Sequence, residues 1–136
     1  MELMISAIEA IIDNIHDAEE YLVEEDIANF IEIITTADNI FVTGAGRSGL
    51  AAKAFAMRLM HLGLSSYVVG ETISPAINAG DCILAISGSG ETNTIVTAAK
   101  ISKKRGAKVL ALTSYPESSL GQLADGIIHV KGRTKV

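Results

Sequence analysis

The sequence predicts an α/β fold: a doubly wound, five-stranded parallel sheet in the order 2-1-3-4-5, flanked by helices and preceded by N-terminal helices. Three observations predict it. Short, continuously apolar runs such as Cys82–Ile86 read as strands covered on both faces. Stretches with apolar residues at three- and four-residue steps lie between them and read as helices. Strand and helix then alternate from Asn39 onward, which calls for parallel strands joined by right-handed crossovers.

Glu2 to Tyr21 predicts a helix. Ile5, Ile8, Ile12 and Ile15 form its apolar stripe, widened by Met4 and Ile11. A second helix runs from Glu25 or Asp26 to Thr36, with Ile27, Phe30, Ile31 and Ile34 turned inward. Asn39 to Thr43 is the first strand, and Ser48 to Leu62 is a helix closed by Gly63. Ser66 to Val69 and Cys82 to Ile86 are strands two and three. A helix from Thr92 to about Arg105 follows, then strand four at Lys108 to Thr113. A short helix at Ser119 to Ala124 leads to strand five at Gly126 to Val130. There is no repeat, low-complexity run or interdomain linker. The expected division is residues 1–38 as N-terminal helices and 39–136 as the sheet domain.

Composition narrows the class. The chain has 136 residues, enough for one domain with a core of its own. Apolar residues make up 49%, charged residues only 20%, and mean hydropathy is +0.36, which points to surface buried between subunits. Aromatics are 4%, so Ala, Ile, Leu and Val must build the core. A net charge of −5 and the lack of a basic stripe argue against a nucleic-acid partner. No apolar run approaches the roughly 18 residues of a membrane span, and no secretion signal opens the chain. The single cysteine, Cys82, suits a reducing cytoplasm and reads as a small core residue.

Two loops carry the chemistry. Ser87-Gly88-Ser89-Gly90-Glu91-Thr92 lies between strand three and its helix. Backbone N–H groups at a helix start, glycines and hydroxyls together make an anion cradle. It has no Lys, so it is not a nucleotide P-loop, and a small phosphate ester fits better. The other loop is Gly44-Ala45-Gly46-Arg47-Ser48-Gly49 after strand one. It matches G-x-G-x-x-G, and Glu71 stands where a dinucleotide fold keeps its ribose acid. A nicotinamide site, however, has no use for a second phosphate cradle after strand three. In a 2-1-3-4-5 sheet both loops open on one crevice at the switch point.

The pair GxGxSG and SGSGET, one βα unit apart, resembles the sugar isomerase (SIS) domain over about Asn39 to Val130. Phe55-Ala56-Met57-Arg58-Leu59-Met60-His61-Leu62-Gly63, Val69-Gly70-Glu71-Thr72 and Pro75 further resemble the 6-phospho-3-hexuloisomerases within it. The resemblance implies interconversion of D-arabino-3-hexulose 6-phosphate and fructose 6-phosphate through an enediol, in the ribulose monophosphate pathway. It implies no metal or redox cofactor, a cytoplasmic homotetramer, and coupling to a 3-hexulose-6-phosphate synthase. Two relatives share the loops and stay open as alternatives: a phosphosugar-binding SIS module without chemistry, and arabinose 5-phosphate isomerase. The family continues past strand five into a segment with a glutamate often proposed as the base. This sequence ends at Val136, which implies a C-terminally incomplete domain.

Roles follow, each beside its structural alternative. Ser87, Ser89 and Thr92 are expected to hold phosphate, with Gly88 and Gly90 permitting close approach. Helix capping alone would need one hydroxyl, not three. Ser48 matches the family's first-loop serine; otherwise it caps its helix. Gly46 belongs to the same binding loop. Arg47 balances ligand charge or is a solvated arginine. His61 is a candidate base if it enters a cleft, its own or another subunit's; otherwise it is an exposed histidine at a helix C-terminus. Glu71 is a candidate for the sugar hydroxyls or the base. Glu91 is expected only to favour a helix start, and His16 and His129 to be structural. No cluster has metal-ligand spacing.

Overall fold

The computed structural model describes residues 1–132. Residues 133–136, and with them the expectation about the end of the domain, lie outside the described residues. The elements are α1 (Glu2–Glu19), α2 (Glu24–Thr36), β1 (Ile40–Gly44), α3 (Arg47–His61) and β2 (Ser66–Val68), then β3 (Cys82–Ile86), α4 (Asn93–Lys104), β4 (Lys108–Thr113), α5 (Ser119–Leu123) and β5 (Gly126–His129). The sheet is parallel, as the alternation predicts, and its strand order is β2-β1-β3-β4-β5.

Because side chains alternate along a strand, each strand feeds two cores. Ile40, Val42, Cys82, Leu84 and Leu110 face one side, against Ile33 and Ile34 of α2 and Ala52, Ala56 and Leu59 of α3. Phe41, Ile83, Ala85, Val109 and Ala111 face the other, against Ile95, Val96 and Ala99 of α4 and Leu120 of α5. α3 meets the sheet largely through alanines, so the helix lies close to β1. The helices after β1 and β3 therefore sit on opposite faces, the arrangement that opens a crevice between those strands.

The N-terminal helices behave differently from each other. α2 belongs to the core, packing on β5, with Asn29 Nδ2 donating to the Asp125 carbonyl at 3.1 Å. α2 is thus packed onto the sheet that follows it. One expectation about α2 is corrected. Ile31 is 54% exposed, and Ile33 at 6% takes its place. The docking face is set by Phe30, Ile33, Ile34 and Ala37, and Ile31 is rotated about 100° from Phe30. α1, in contrast, buries nothing within the chain. Ile5, Ile8, Ile11, Ile12 and Ile15 are all exposed along it. Among the described residues no helix is long and apolar enough to cross a membrane.

Cys82 begins the central strand β3 with no exposed surface. Burial, helped by the neighbouring Asp81 carboxylate, pushes its thiol up to about 12. The thiolate is the reactive form, so the folded protein should be inert to a thiol-specific reagent at neutral pH. The same reagent should titrate one thiol per chain in denaturant. Rapid labelling of the native protein would contradict this placement of β3.

Candidate functional site

The β1–β3 register pairs Gly44 with Ile86, the last residue of each strand. The loops that follow therefore emerge side by side. In the first, Gly44 and Gly49 close the strand-to-helix turn. A Cβ on Gly44 would lie 2.7 Å from the Ser48 carbonyl carbon, and one on Gly49 would lie 2.6 Å from the Gly44 oxygen. Gly46 has φ 58° and caps α3 without a side-chain hydrogen bond. Ser48, half-buried, lies inside the first turn of α3 and does not act as its cap. Arg47 beside it is exposed.

The second loop is built more elaborately. Ser87 is only 2% exposed. Its hydroxyl accepts from Gly90 N–H at 3.1 Å and bonds the Thr92 hydroxyl at 2.9 Å. Ser87 thus helps hold the loop in shape, and one hydroxyl of the Ser87–Thr92 pair keeps a proton to donate. Thr92 is the N-cap residue of α4, yet its hydroxyl pairs with Ser87 and does not cap the helix. Among the described residues, the N–H groups of Ser89, Thr92, Asn93 and Thr94 find no acceptor in the chain. Ser89 is exposed; its oxygen accepts from Glu91 N–H at 3.1 Å, which leaves its own proton to donate. An α-helix start with unspent N–H groups and a hydroxyl beside it is an anion site.

The two glycines of this loop divide the work. A Cβ on Gly88 would meet nothing within 4 Å, so that side of the loop is open to a ligand. Gly90 has φ 68°, and a Cβ there would collide with the Ser118 hydroxyl. Its N–H is already committed to Ser87. Gly90 is thus required by packing.

The segment after β4 braces the loop, a feature that sequence patterns do not announce. Ser114 N–H donates to the Gly88 carbonyl at 3.0 Å, and the Thr113 hydroxyl reaches the same oxygen at 3.3 Å. Leu120 N–H donates to the Gly90 carbonyl at 3.0 Å. Ser119 N–H donates to Glu91 Oε1 at 2.8 Å. That contact, with the Ser119 hydroxyl and the Lys100 ammonium, holds the Glu91 carboxyl below its usual range despite full exposure. Glu91 therefore serves α5 rather than the first turn of α4. The only sequence hint is the run Thr113-Ser114-Tyr115-Pro116 closing a strand, and partners so distant along the chain leave no periodic trace.

Among the described residues, neither candidate proton carrier hydrogen-bonds a residue of these loops. His61 ends α3, whose first turn is at the crevice, so it stands about 21 Å along the helix axis from that mouth. It is exposed, with Nδ1 3.3 Å from Arg58 Nη1. Glu71 follows β2, and its Oε1 lies 3.3 Å from Lys53 Nζ across the sheet edge. It also lines a cavity of about 300 Å³ with Phe41, Ile77, Ile83 and Ala98, on the α4 face of the sheet. His129 is structural: Nε2 lies 3.1 Å from the Ser114 carbonyl, and the ring meets Tyr21 edge-on at 4.8 Å.

Two helix N-termini and a serine- and glycine-rich loop meet at the switch point of a parallel sheet, in a doubly wound α/β fold. The SIS domain family model matches residues 33–136, and the chain belongs to that family. An uncharacterized protein of Aeropyrum pernix is 50% identical over 92% of this chain and 59% of its own length. The 3-hexulose-6-phosphate isomerase of Bacillus subtilis is 42% identical over 92% of this chain and 68% of its own. Among solved structures, a hypothetical protein of Methanococcus jannaschii superimposes with a TM-score of 0.84 at 34% identity. That match covers 94% of this chain and 75% of the other, whose structure infers a molecular function of 3-hexulose-6-phosphate isomerase. The chain thus spans 59% of the first of these relatives and about two thirds of the second.

The glycine assignments have a direct test. Gly90→Ala should cost about 2–4 kcal/mol, from the left-handed backbone and the collision with Ser118. Gly88→Ala should change stability by about 0.5 kcal/mol or less. Urea unfolding of the two variants checks both, and equal midpoints would contradict the division.

Proposed function

We propose that this protein is a phosphosugar isomerase that interconverts D-arabino-3-hexulose 6-phosphate and fructose 6-phosphate. The observation that carries this reading is the pair of adjacent helix N-termini, α3 and α4, neither capped by a side chain, at the mouth between β1 and β3. The relatives named 3-hexulose-6-phosphate isomerase supply the substrate class.

In this reading the phosphate takes the free N–H groups at the start of α4, the Ser89 hydroxyl and the open side of Gly88. The α3 start, with Gly46, Arg47 and Ser48, closes the other flank. Thr92 and Ser87 keep the cradle rigid, and Gly90 lets it pack. The isomerisation removes a proton from C2 of the hexulose and returns one to C3, passing through an enediol while the hydroxyl proton moves from O2 to O3. No net oxidation occurs, so the residues need only supply a base and stabilise an oxyanion. Glu71, and His61 of a neighbouring subunit, are the bases proposed. His61's distance from its own crevice requires the neighbour.

We place the enzyme in the cytoplasm as a homotetramer that takes its substrate from a 3-hexulose-6-phosphate synthase. The N-terminal helices would supply the subunit contact, α1 above all. Its row of exposed isoleucines is an aggregation liability on an isolated subunit. Ile8→Asp with Ile12→Asp should lower the mass in sedimentation equilibrium; an unchanged tetramer would place the interface elsewhere.

Activity is tested by forming 3-hexulose 6-phosphate in situ from ribulose 5-phosphate and formaldehyde with the synthase. Fructose 6-phosphate is then read by a coupled dehydrogenase. Ser89→Ala should lower kcat/KM by about tenfold or more, the loss of a hydrogen bond to a charged ligand. No turnover, with fructose 6-phosphate still raising the melting temperature, would indicate a binding module without chemistry. Neither turnover nor stabilisation would overturn the proposal.

A further inference from the structure

We propose that Glu91 is a positioning residue: its carboxylate clasps the N–H of Ser119 and thereby fixes the Ser87–Thr92 loop in the outline that receives the phosphate. The inference rests on the phosphosugar reading of that loop. Three observations carry it. First, the carboxylate acts on a segment 28 residues away, at 2.8 Å, and not on its own helix. Glu91 precedes the N-cap of α4, so a merely helix-favouring acid would have no reason to reach across. Second, the clasp is the last of a row. The Gly88 carbonyl is held by Ser114, the Gly90 carbonyl by Leu120, and the Gly90 backbone lies against Ser118. Both glycines of the loop are thus tied to the β4–α5 segment, and the residue between, Ser89, is left exposed. Third, the charge would otherwise be harmful. Glu91 is two residues from Ser89, and a free carboxylate swinging there would repel a phosphate dianion. Engagement by Ser119 N–H, with Lys100 nearby, ties that charge to α5 and partly offsets it.

The clasp can be broken from either end. Glu91→Ala removes the acceptor. Ser119→Pro removes the donor; Ser119 is the first residue of α5, where proline is well tolerated. Ser118 already has the extended backbone (φ −63°, ψ 170°) that proline requires of its predecessor. Each variant should raise KM for the hexulose phosphate, and Kd for fructose 6-phosphate, by about tenfold, with kcat within about twofold. Glu91→Gln retains an oxygen for Ser119 and should recover affinity to within about threefold. The double variant should be no worse than either single one, because both remove the same bond.

Wild-type affinity in both Glu91→Ala and Ser119→Pro would overturn the inference, as would a loss seen only in melting temperature. A Gln variant as damaged as the Ala variant would overturn it too. If Glu91→Ala fails to fold, Ser119→Pro decides the matter alone. Wild-type protein that binds no fructose 6-phosphate would instead remove the underlying reading, and the inference with it.

Discussion

The pairing of Gly44 with Ile86 is the constraint on which the rest of the site depends. Because β1 and β3 are neighbours and end in register, two loops far apart in sequence leave the sheet at one place. Because α3 and α4 cover opposite faces, their N-termini converge there without colliding. Shifting that register by one residue would turn Val42 and Leu84 out of one core and misalign both helix starts. The proposed anion site is therefore a by-product of how the sheet packs, and its shape derives from the core beneath it.

The molecule carries a net charge of −5, yet the proposed ligand is an anion. Lysines inside the phosphate loop do not resolve this tension, since it has none. Backbone N–H groups and helix dipoles do, acting within a turn of the helix start. Such a site recognises a compact phosphate closely but lacks the long-range pull of a basic surface. It is also sensitive to shape, because the donors belong to the backbone and cannot reorient. That is why so much of the neighbouring structure is spent on holding Ser87 to Thr92 still. Ser87 and Thr92 tie it from within, and Thr113 to Leu120 from outside.

Much of this is legible in the amino-acid sequence. The strands announce themselves as apolar runs, because a parallel strand covered on both faces has no polar side to show. Both glycine-rich loops are visible because close approach and positive φ demand glycine, and glycine is easily seen. What is not legible depends on partners. Ile31 and Ile33 are equally apolar, and only the angle at which α2 meets β5 decides between them. Gly88 and Gly90 look interchangeable in sequence, yet one borders open space and the other Ser118. Nothing along the chain shows that Ser87 is buried and tied to Gly90 and Thr92.

The sequence by itself determined the order of elements, the parallel sense of the strands through the crossover rule, and the two glycine-rich loops of the proposed anion site. These are local or topological properties, encoded in periodicity and in glycine. Only the tertiary structure decided which hydroxyls face outward, that Glu91 serves a helix 28 residues away, and that His61 stands at the far end of its own helix from the crevice. Those are distances between segments, and hydrogen bonding falls off within a few tenths of an ångström. A pattern along the chain carries no such scale.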